Sequence, residues 1–173
     1  MAILKVLTVP DPLLKRMAKP CVEVDDHIRK IMDDMIDTMN YEDGIGLASI
    51  QVGIEENNIV IDASSSDDIG AEIIYPLMMA NAEIIEVSNE LVVIDEACLS
   101  VPGVPIPVER PRRVKVKYLD YHNHEQVLDS SSLLARIIQH EMDHQKGITI
   151  VDYLSKLKRD LAIKKVKKTV KNL

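Results

Sequence analysis

Apolar residues recur at helical spacing in one long segment near the start of the chain. In residues 25–40 they lie on one side of a helical projection, which predicts an amphipathic helix. These positions are Ile28, Ile31, Met32, Met35, Ile36 and Met39. We interpret the methionines as core residues rather than as the lining of a peptide groove, because a flexible thioether fills irregular gaps in a core. A single turn of helix is expected earlier, at residues 11–15.

Shorter runs of apolar residues predict strands in the middle of the chain. They cover residues 58–63, 83–87, 91–95, 113–120 and 125–128, with turn residues between them. Residues 64–70 are polar and acidic, so we expect a loop there. Four prolines between residues 102 and 111 predict an extended, irregular connection ahead of the later strands.

A second helical pattern follows the last of these strands and includes histidines. Its stripe consists of Leu133, Ile137, His140 and His144, at spacings of four, three and four. Asp129 and serines 130–132 offer oxygens for an N-cap, and Gly147 suits the left-handed turn that ends a helix. The order of one helix, several strands, this helix and a final helix predicts an α+β fold, with mostly antiparallel strands packed around this central helix.

Composition favours one domain that spans residues 1–173. The chain is 46% hydrophobic, which is enough for one core, and no linker, repeat or low-complexity tract divides it. Its two cysteines exclude a disulfide framework, so we expect a reducing, cytoplasmic environment. Neither a signal-peptide pattern nor an apolar run of membrane length occurs, so we expect no membrane partner.

Residues 140–144 read His-Glu-Met-Asp-His, with two histidines four residues apart. Residues at this spacing share one face of a helix, so His140 and His144 can bind one metal ion together. Glu141 adjoins that point and can accept a proton from water there without being a ligand. The pattern predicts a metal-dependent hydrolase. Alternatively, both histidines are core residues that bond to carbonyl groups.

A catalytic site of this kind usually has three protein ligands, and no suitable third ligand lies downstream. The longer pattern with a third histidine fails because Ile150 stands at its position, and no glutamate follows Glu141. Upstream, Cys98 lies in a Cys-Leu-Ser-Val-Pro-Gly run, and a thiolate is a strong metal ligand. The alternative for Cys98 is a small buried hydrophobe, which is how we interpret Cys21.

Three of the six glycines fall within residues 44–53, so the backbone there turns tightly or lets another chain approach. The segment lacks the spacing of a dinucleotide loop and the Lys-Ser/Thr pair of a phosphate loop, so nucleotide binding is not expected. Gln51 is long enough to reach across this segment, and its amide can donate to a developing oxyanion. Elsewhere, Glu96 either orients the cysteine loop through a buried hydrogen bond or is a surface carboxylate.

These segments together resemble the peptide deformylase family. That family is marked by three ordered motifs, roughly Gly-x-Gly-Leu-Ala-Ala-x-Gln, Glu-Gly-Cys-Leu-Ser and Gln-His-Glu-x-Asp-His. The corresponding segments here are Gly-Ile-Gly-Leu-Ala-Ser-Ile-Gln at residues 44–51, Glu-Ala-Cys-Leu-Ser at 96–100 and Gln-His-Glu-Met-Asp-His at 139–144. The likeness extends from residues 3–7 to the last helix, which is nearly all of the chain.

The resemblance implies a single catalytic domain that removes the formyl group from the N-terminal formyl-methionine of newly synthesised polypeptides and releases formate. It implies that Cys98, His140 and His144 bind one divalent metal ion and that Glu141 is the general base and acid. The metal expected is iron(II), with zinc, nickel or cobalt as alternatives. The partners expected are formyl-methionyl nascent peptides, with no membrane and no DNA.

The same resemblance assigns roles around the substrate. Gln51 and the backbone amide of Leu99 are expected to hold the formyl oxygen. The expected substrate-binding residues are Gly44, Ile45, Gly46 and Arg110.

Four residues depart from the family's usual pattern. Ala97 replaces the glycine before the cysteine, where a methyl group is costly if the backbone needs a positive φ. Ser49 replaces an alanine, and Gln145 stands where leucine usually follows the last histidine. Tyr75 stands where asparagine usually precedes a proline. Because no ligand, base or oxyanion donor is lost, we expect these changes to affect efficiency and substrate fit rather than the reaction.

Residues 154–173 reverse the charge of the chain. They contain eight Lys or Arg and one acid, Asp160, a formal charge of +7, which leaves −14 on the rest of a chain whose net charge is −7. We expect a basic C-terminal helix, and its apolar side consists of Leu154, Leu157, Leu161 and Ile163. The family's terminal helix is associated with ribosome binding, so contact with ribosomal RNA or protein near the exit tunnel is expected. Alternatively, the helix only balances an acidic body.

Two other functions fit the same residues. One is a different metal-dependent amidase or peptidase on the same scaffold, which activity against acetylated or internal peptide bonds would reveal. The other is a non-catalytic, ribosome-associated metal protein, which would bind metal without releasing formate.

Overall fold

The computed structural model describes residues 2–64, 76–131 and 133–171. Its helices are α1 (Asp26–Tyr41), α2 (Leu133–Gln145) and α3 (Lys156–Val170). Its strands are β1 (Gly46–Ala48), β2 (Asn58–Ile61), β3 (Leu77–Val87), β4 (Leu91–Glu96), β5 (Ile106–Pro111), β6 (Val114–Leu119) and β7 (Glu125–Ser130). Short 3-10 turns occupy Pro12–Lys15, Ser49–Val52 and Ile150–Tyr153. Residues 65–70 of the predicted loop lie outside the described residues, as do Tyr75 and Ser132.

Five strands form one antiparallel sheet in the order β1-β2-β3-β6-β7, and β4 pairs with β5 in a second antiparallel sheet. Alternate residues of a strand point to opposite faces. In β2, Ile59 and Ile61 join a core cluster with α2, whereas Val60 joins a cluster with α1. The two helices therefore cover opposite faces of the large sheet, and the predicted α+β fold around α2 is confirmed.

Both helical segments predicted in the first part of the chain are present. The carboxylate of Asp25 caps α1 by accepting from the Ile28 amide at 2.9 Å. Met32, Met35 and Met39 are fully buried in the cluster between α1 and the sheet, which confirms that the methionines are core residues. The turn predicted at residues 11–15 is the 3-10 turn Pro12–Lys15.

The two predicted ends of α2 have different outcomes. Gly147 ends the region in a left-handed conformation, with φ of 71°, and a Cβ atom there would lie 2.6 Å from the Lys15 carbonyl oxygen. The N-cap prediction is wrong for Asp129, which belongs to β7. The Asp129 carboxylate pairs with the Arg113 guanidinium at 2.7 Å across the sheet, so it is not available to α2.

The proline-rich connection forms a strand where the sequence predicts an irregular chain. In the pairing of β4 with β5, Pro107 lies opposite Asp95 and Pro111 lies opposite Leu91. A proline cannot donate to a sheet, but a strand with one neighbour can direct that position to its free side. Pro107 and Pro111 are four residues apart and have the same orientation in the strand, so β5 accommodates both. The prediction of irregular structure is therefore wrong for residues 106–111.

α3 contacts the body through a different face from the one predicted. Ala162 and Val166 are buried in the cluster that includes Val101, whereas Leu157 is 71% exposed and Leu161 is 56% exposed. Residues four apart share a helix face, and the face of Ala162 and Val166 is not the face of Leu157 and Leu161. The predicted apolar side is therefore wrong for these two leucines. Within the described residues, no helix is long and apolar enough to span a membrane.

Candidate metal centre and active site

Three residues predicted as metal ligands converge at one point. His140 and His144 lie on α2, and Cys98 lies in the turn that follows β4. Their ligand atoms all lie within 4.8 Å of one another, and Cys98 Sγ is 3.3 Å from His144 Nε2. Among the residues that the structure describes, this is the one group of three such side chains with that geometry. A thiolate and two imidazoles suit zinc, iron, cobalt or nickel.

His140 is oriented by the buried carboxylate of Glu96, which lies 2.8 Å from its Nδ1 atom. This contact leaves Nε2 of the ring available for the metal centre. Burial opposes ionisation of Glu96, but hydrogen bonds from Arg110 and His140 outweigh it and lower the pKa of the carboxyl to about 2. Of the two interpretations of Glu96, the buried one is therefore confirmed.

Two arginines donate hydrogen bonds to the Glu96 carboxylate that contacts His140. Arg110 donates to both of its oxygens, at 2.6 and 2.9 Å, and Arg136 donates to Oε1 at 2.8 Å. Arg136 also donates to the carbonyl oxygens of Val92 in β4 and Val108 in β5, at 2.6 and 3.0 Å. Hydrogen bonds thereby join the two-stranded sheet of β4 and β5, the Glu96 carboxylate and α2, the metal helix, in one buried network.

The structure corrects the prediction of a substrate contact for Arg110. Arg110 is 4% exposed. It is not among the residues that line the cavity beside the metal centre, which is described below. Besides Glu96, its guanidinium contacts the Asp143 carboxylate at 2.8 Å and lies over the Tyr153 ring. Because its hydrogen-bonding groups are used behind the metal centre, Arg110 supports Glu96 instead.

His144 is 1% exposed, and burial holds its pKa well below the usual range. Its ring is therefore neutral, which leaves a lone pair for a metal. Beside it, burial raises the pKa of Glu141 to about 7, against the opposing charge of His140. Glu141 Oε2 is buried and has no hydrogen-bond partner within the described ranges. A carboxylate oxygen in this state beside three ligand atoms fits a site for a metal ion and a water molecule.

The first glycine-rich segment permits the position of Glu141. A Cβ atom at Gly46 would lie 2.5 Å from Glu141 Oε1 and 2.9 Å from Ile137 Cγ2. A Cβ atom at Gly44 would lie 2.9 Å from Leu99 Cδ1. The close approach predicted for this segment therefore occurs, and within this chain the approaching groups are side chains of α2 and of the cysteine turn.

The amide of Gln51 has a fixed orientation. Its Oε1 atom accepts from the Ala48 amide at 2.7 Å, and its Nε2 atom donates to Ser100 Oγ at 3.1 Å. Nε2 also lies 3.7 Å from Cys98 Sγ, so the donor end faces the metal centre. The amide of Leu99, in the turn closed by the hydrogen bond from Val101 to Cys98, donates no hydrogen bond among the described residues.

A cavity of about 530 Å³ adjoins the metal centre. Its lining includes eight residues with a predicted catalytic, substrate-binding or metal-binding role: Gly44, Ile45, Gly46, Gln51, Cys98, Leu99, His140 and Glu141. Ala97 also lines it, and Ala97 is not among the residues with positive φ, so the methyl group there does not strain the backbone. The cavity therefore gives a small acyl compound access to the centre.

Sequence reasoning missed two residues of this site, Ser100 and Arg136. Ser100 is the last residue of the Glu-Ala-Cys-Leu-Ser motif, but the motif gives it no partner, because its contact with Gln51 joins two distant segments. Arg136 had a signal: it lies four residues before His140, so it shares the interior face of α2. A charged residue on that face requires a buried partner, and Glu96 is that partner.

Comparison with known proteins places these features in one family. A model of the family described as polypeptide deformylase matches residues 3–160. The peptide deformylase of Rickettsia akari is 47% identical over 174 residues, which cover 100% of this chain and 99% of that protein. The peptide deformylase of Maricaulis maris is 46% identical over 172 residues, covering 99% and 97%.

Solved structures agree with the sequence comparison. The crystal structure of peptide deformylase from Ehrlichia chaffeensis superposes with a TM-score of 0.90 at 40% identity, covering 99% of this chain and 98% of that one. A structure of the Ehrlichia chaffeensis protein in complex with actinonin gives a TM-score of 0.88 at 40% identity and covers 98% of both chains.

Proposed function

Since the chain belongs to the peptide deformylase family, we propose that Cys98, His140 and His144 hold its metal ion and that Glu141 transfers the proton in its reaction. The family's reaction is the reaction of this chain: a metal-dependent hydrolysis that removes the formyl group from N-terminal formyl-methionine of newly synthesised polypeptides. The observation that supports the residue assignment is the convergence of one sulfur and two ring nitrogens within 4.8 Å, next to a carboxylate oxygen that has no hydrogen-bond partner among the described residues.

A divalent ion in this site supplies Lewis acidity, which lowers the pKa of water and polarises a carbonyl group. Glu141 then accepts a proton from the attacking water and delivers it to the leaving amine of methionine. A pKa of about 7 suits both transfers, because the carboxyl group can gain and lose a proton near neutral pH. Gly46 leaves the space that this carboxylate occupies.

The negative charge that develops on the formyl oxygen requires donors. Gln51 Nε2 and the Leu99 amide both adjoin the cavity, and the Leu99 amide has no other acceptor in the described part of the chain. Ala48 holds the oxygen end of the Gln51 amide, so the nitrogen end points to the centre before substrate binds. Donors that are oriented in advance stabilise a transition state without reorganisation.

The test uses protein purified without oxygen. We expect about one equivalent of iron(II) and release of formate from a formyl-Met peptide, measured on the same sample. Zinc, nickel and cobalt are the alternative metals, because the donor set accepts each of them. An acetyl-Met peptide is the matched control. Hydrolysis of the acetyl peptide at the same rate would favour a general amidase, and full metal content without formate release would leave a metal protein that is not an enzyme.

We also propose that α3 contacts the ribosome, in the cytoplasm, where formylated chains emerge. Exposed lysines on α3 support a phosphate-rich partner: Lys164, Lys165, Lys167 and Lys168. Leu157 and Leu161 lie on the exposed part of the same helix and add apolar area to that surface. Neither Cys21 nor Cys98 forms a disulfide bond, which fits a reducing compartment.

A further inference from the structure

Two of the residues that depart from the family's motifs lie in contact with each other. Ser49 replaces an alanine in the first motif, and Gln145 replaces the leucine after the last histidine. They are separated by 96 residues, and Gln145 Nε2 donates to Ser49 Oγ at 3.2 Å. Ser49 is 0% exposed and Gln145 is 6% exposed, so solvent cannot replace this bond.

The pair is part of a buried network. Gln145 Nε2 also donates to the carbonyl oxygen of Asn58 at 2.6 Å, and the Asn58 amide lies 3.4 Å from Ser49 Oγ. Ser49 Oγ donates in turn to the carbonyl oxygen of Glu56. An apolar pair at these positions could make none of these bonds, so the serine and the glutamine each give the other its partner.

Each member of the pair adjoins a residue of the active site. Ser49 begins the 3-10 turn Ser49–Val52, which carries Gln51. Gln145 follows His144 directly at the end of α2. A hydrogen bond has a preferred distance and direction, whereas an apolar contact of the same size tolerates sliding. The bond therefore sets how the Gln51 turn lies against the end of the metal helix.

We propose that Ser49 and Gln145 act together as a positioning pair that keeps the Gln51 amide in place relative to the metal helix. The pairing itself rests on the buried contact, while its catalytic consequence rests on the proposed role of Gln51. The two can therefore fail separately.

A double-mutant cycle tests the pairing. Ser49→Ala removes one acceptor of the Gln145 amide, and Gln145→Leu removes one donor to Ser49 and to Asn58. Each single change should lower the folded-to-unfolded equilibrium constant by about tenfold, because a buried polar partner loses a bond. The double variant has alanine and leucine, the family's usual residues, and should lose clearly less than the product of the two single losses, since the bond between Ser49 and Gln145 can be lost only once.

The control is Gln126→Leu, the same chemical change at an exposed glutamine of β7. It should shift the unfolding equilibrium by less than about twofold and should show no coupling to Ser49→Ala. If the double variant instead loses the product of the two single losses, Ser49 and Gln145 are independent and the pairing is refuted.

The catalytic consequence is read from the split between kcat and KM on a formyl-Met peptide. Each single variant should lower kcat several-fold with little change in KM, because the displaced amide acts on the transition state. The double variant should recover most of kcat. In a Gln51→Leu background, Ser49→Ala should have no further effect on kcat. If the losses of stability are non-additive but kcat is unchanged in both single variants, the positioning role is overturned. If the parent protein releases no formate, the proposed function is overturned instead.

Discussion

The two helices that follow the strands of this protein, α2 and α3, differ in what surrounds them. α2 is buried along almost its whole length, from Leu134 to Gln145, and both of its histidines contact other segments. α3 has two buried residues, Ala162 and Val166, and exposes most of its lysines. Most side chains of α2 are therefore buried against specific neighbours, whereas most side chains of α3 are exposed to solvent and many carry a positive charge. The difference predicts that substitutions in α2 affect chemistry and substitutions in α3 affect association.

The largest effect is expected from loss of a metal ligand. Cys98→Ser or His144→Ala should abolish both bound metal and formate release, because two remaining protein ligands hold a metal far more weakly. The measurement is metal content and turnover on the same purified sample. Full metal content and full turnover in Cys98→Ser would contradict the assignment of the third ligand.

The next prediction distinguishes the role of Glu141 as a base from the role of the three metal ligands in the same site. Glu141→Gln should keep the metal and lose at least ~10²-fold in turnover, the usual scale for a general acid–base group. Metal content and turnover are again measured together. A variant that loses metal but keeps its turnover per bound metal would show that Glu141 has a structural role.

Gln51→Leu should lower turnover by roughly 10²-fold, as removal of an oxyanion donor does in other hydrolases. KM should change little, because the bond strengthens in the transition state. The exposed Gln126→Leu is again the matched control. Equal turnover of the two variants would leave Gln51 without a catalytic role.

A smaller effect concerns the stability of α3 itself. Val166→Ala removes two buried carbons and should lower the free energy of unfolding by about 2 kcal/mol. Leu157→Ala, on the exposed face, should change it by less than about 0.5 kcal/mol. Urea unfolding of both variants tests which face of α3 contacts the body. An equal loss in both would contradict the orientation of the helix.

The smallest effect on hydrolysis is expected from the basic surface of α3. Replacing Lys164, Lys165, Lys167, Lys168 and Lys171 by glutamate should leave hydrolysis of a short formyl peptide within about twofold of the parent. It should weaken cosedimentation with ribosomes at low salt, because counterion release from RNA then no longer favours binding. Binding of the parent should fall as salt rises.

Truncation after Ser155 should also reduce cosedimentation more than hydrolysis, but it removes Ala162 and Val166 from the core, so charge reversal is the cleaner variant. Cosedimentation that is unchanged by both alterations would refute the ribosomal role and leave α3 as a packing element.

Local features of the chain could be predicted from the sequence. The spacing of His140 and His144 places both on one face of any helix, whatever surrounds it. The apolar positions of α1 are likewise local, and they occur as predicted. Cys98 followed from the requirement for a third ligand, and resemblance to the family supplied its role together with those of Gln51 and Leu99.

Contacts between distant segments could not be predicted in this way. Arg110 had the charge expected of a residue that binds a peptide, but the register of β4 with β5 places it behind Glu96. Leu157 and Leu161 had the composition of a docking face, but Ala162 and Val166 occupy the contact. In each case the local sequence allowed more than one arrangement of the side chains, and the packing of other segments determined which arrangement occurs.

The sequence by itself therefore determined the pair of histidines and Glu141, because helical periodicity depends on positions a few residues apart, and its ordered family motifs indicated Cys98 and Gln51. The tertiary structure alone decided how those side chains are held: Glu96 between two arginines and His140, and Ser49 against Gln145. These contacts join residues far apart in the chain, and a buried polar group accepts any partner of suitable chemistry. Which partner it has depends on the mutual packing of the sheets and helices, since that packing alone determines which groups are within hydrogen-bonding distance.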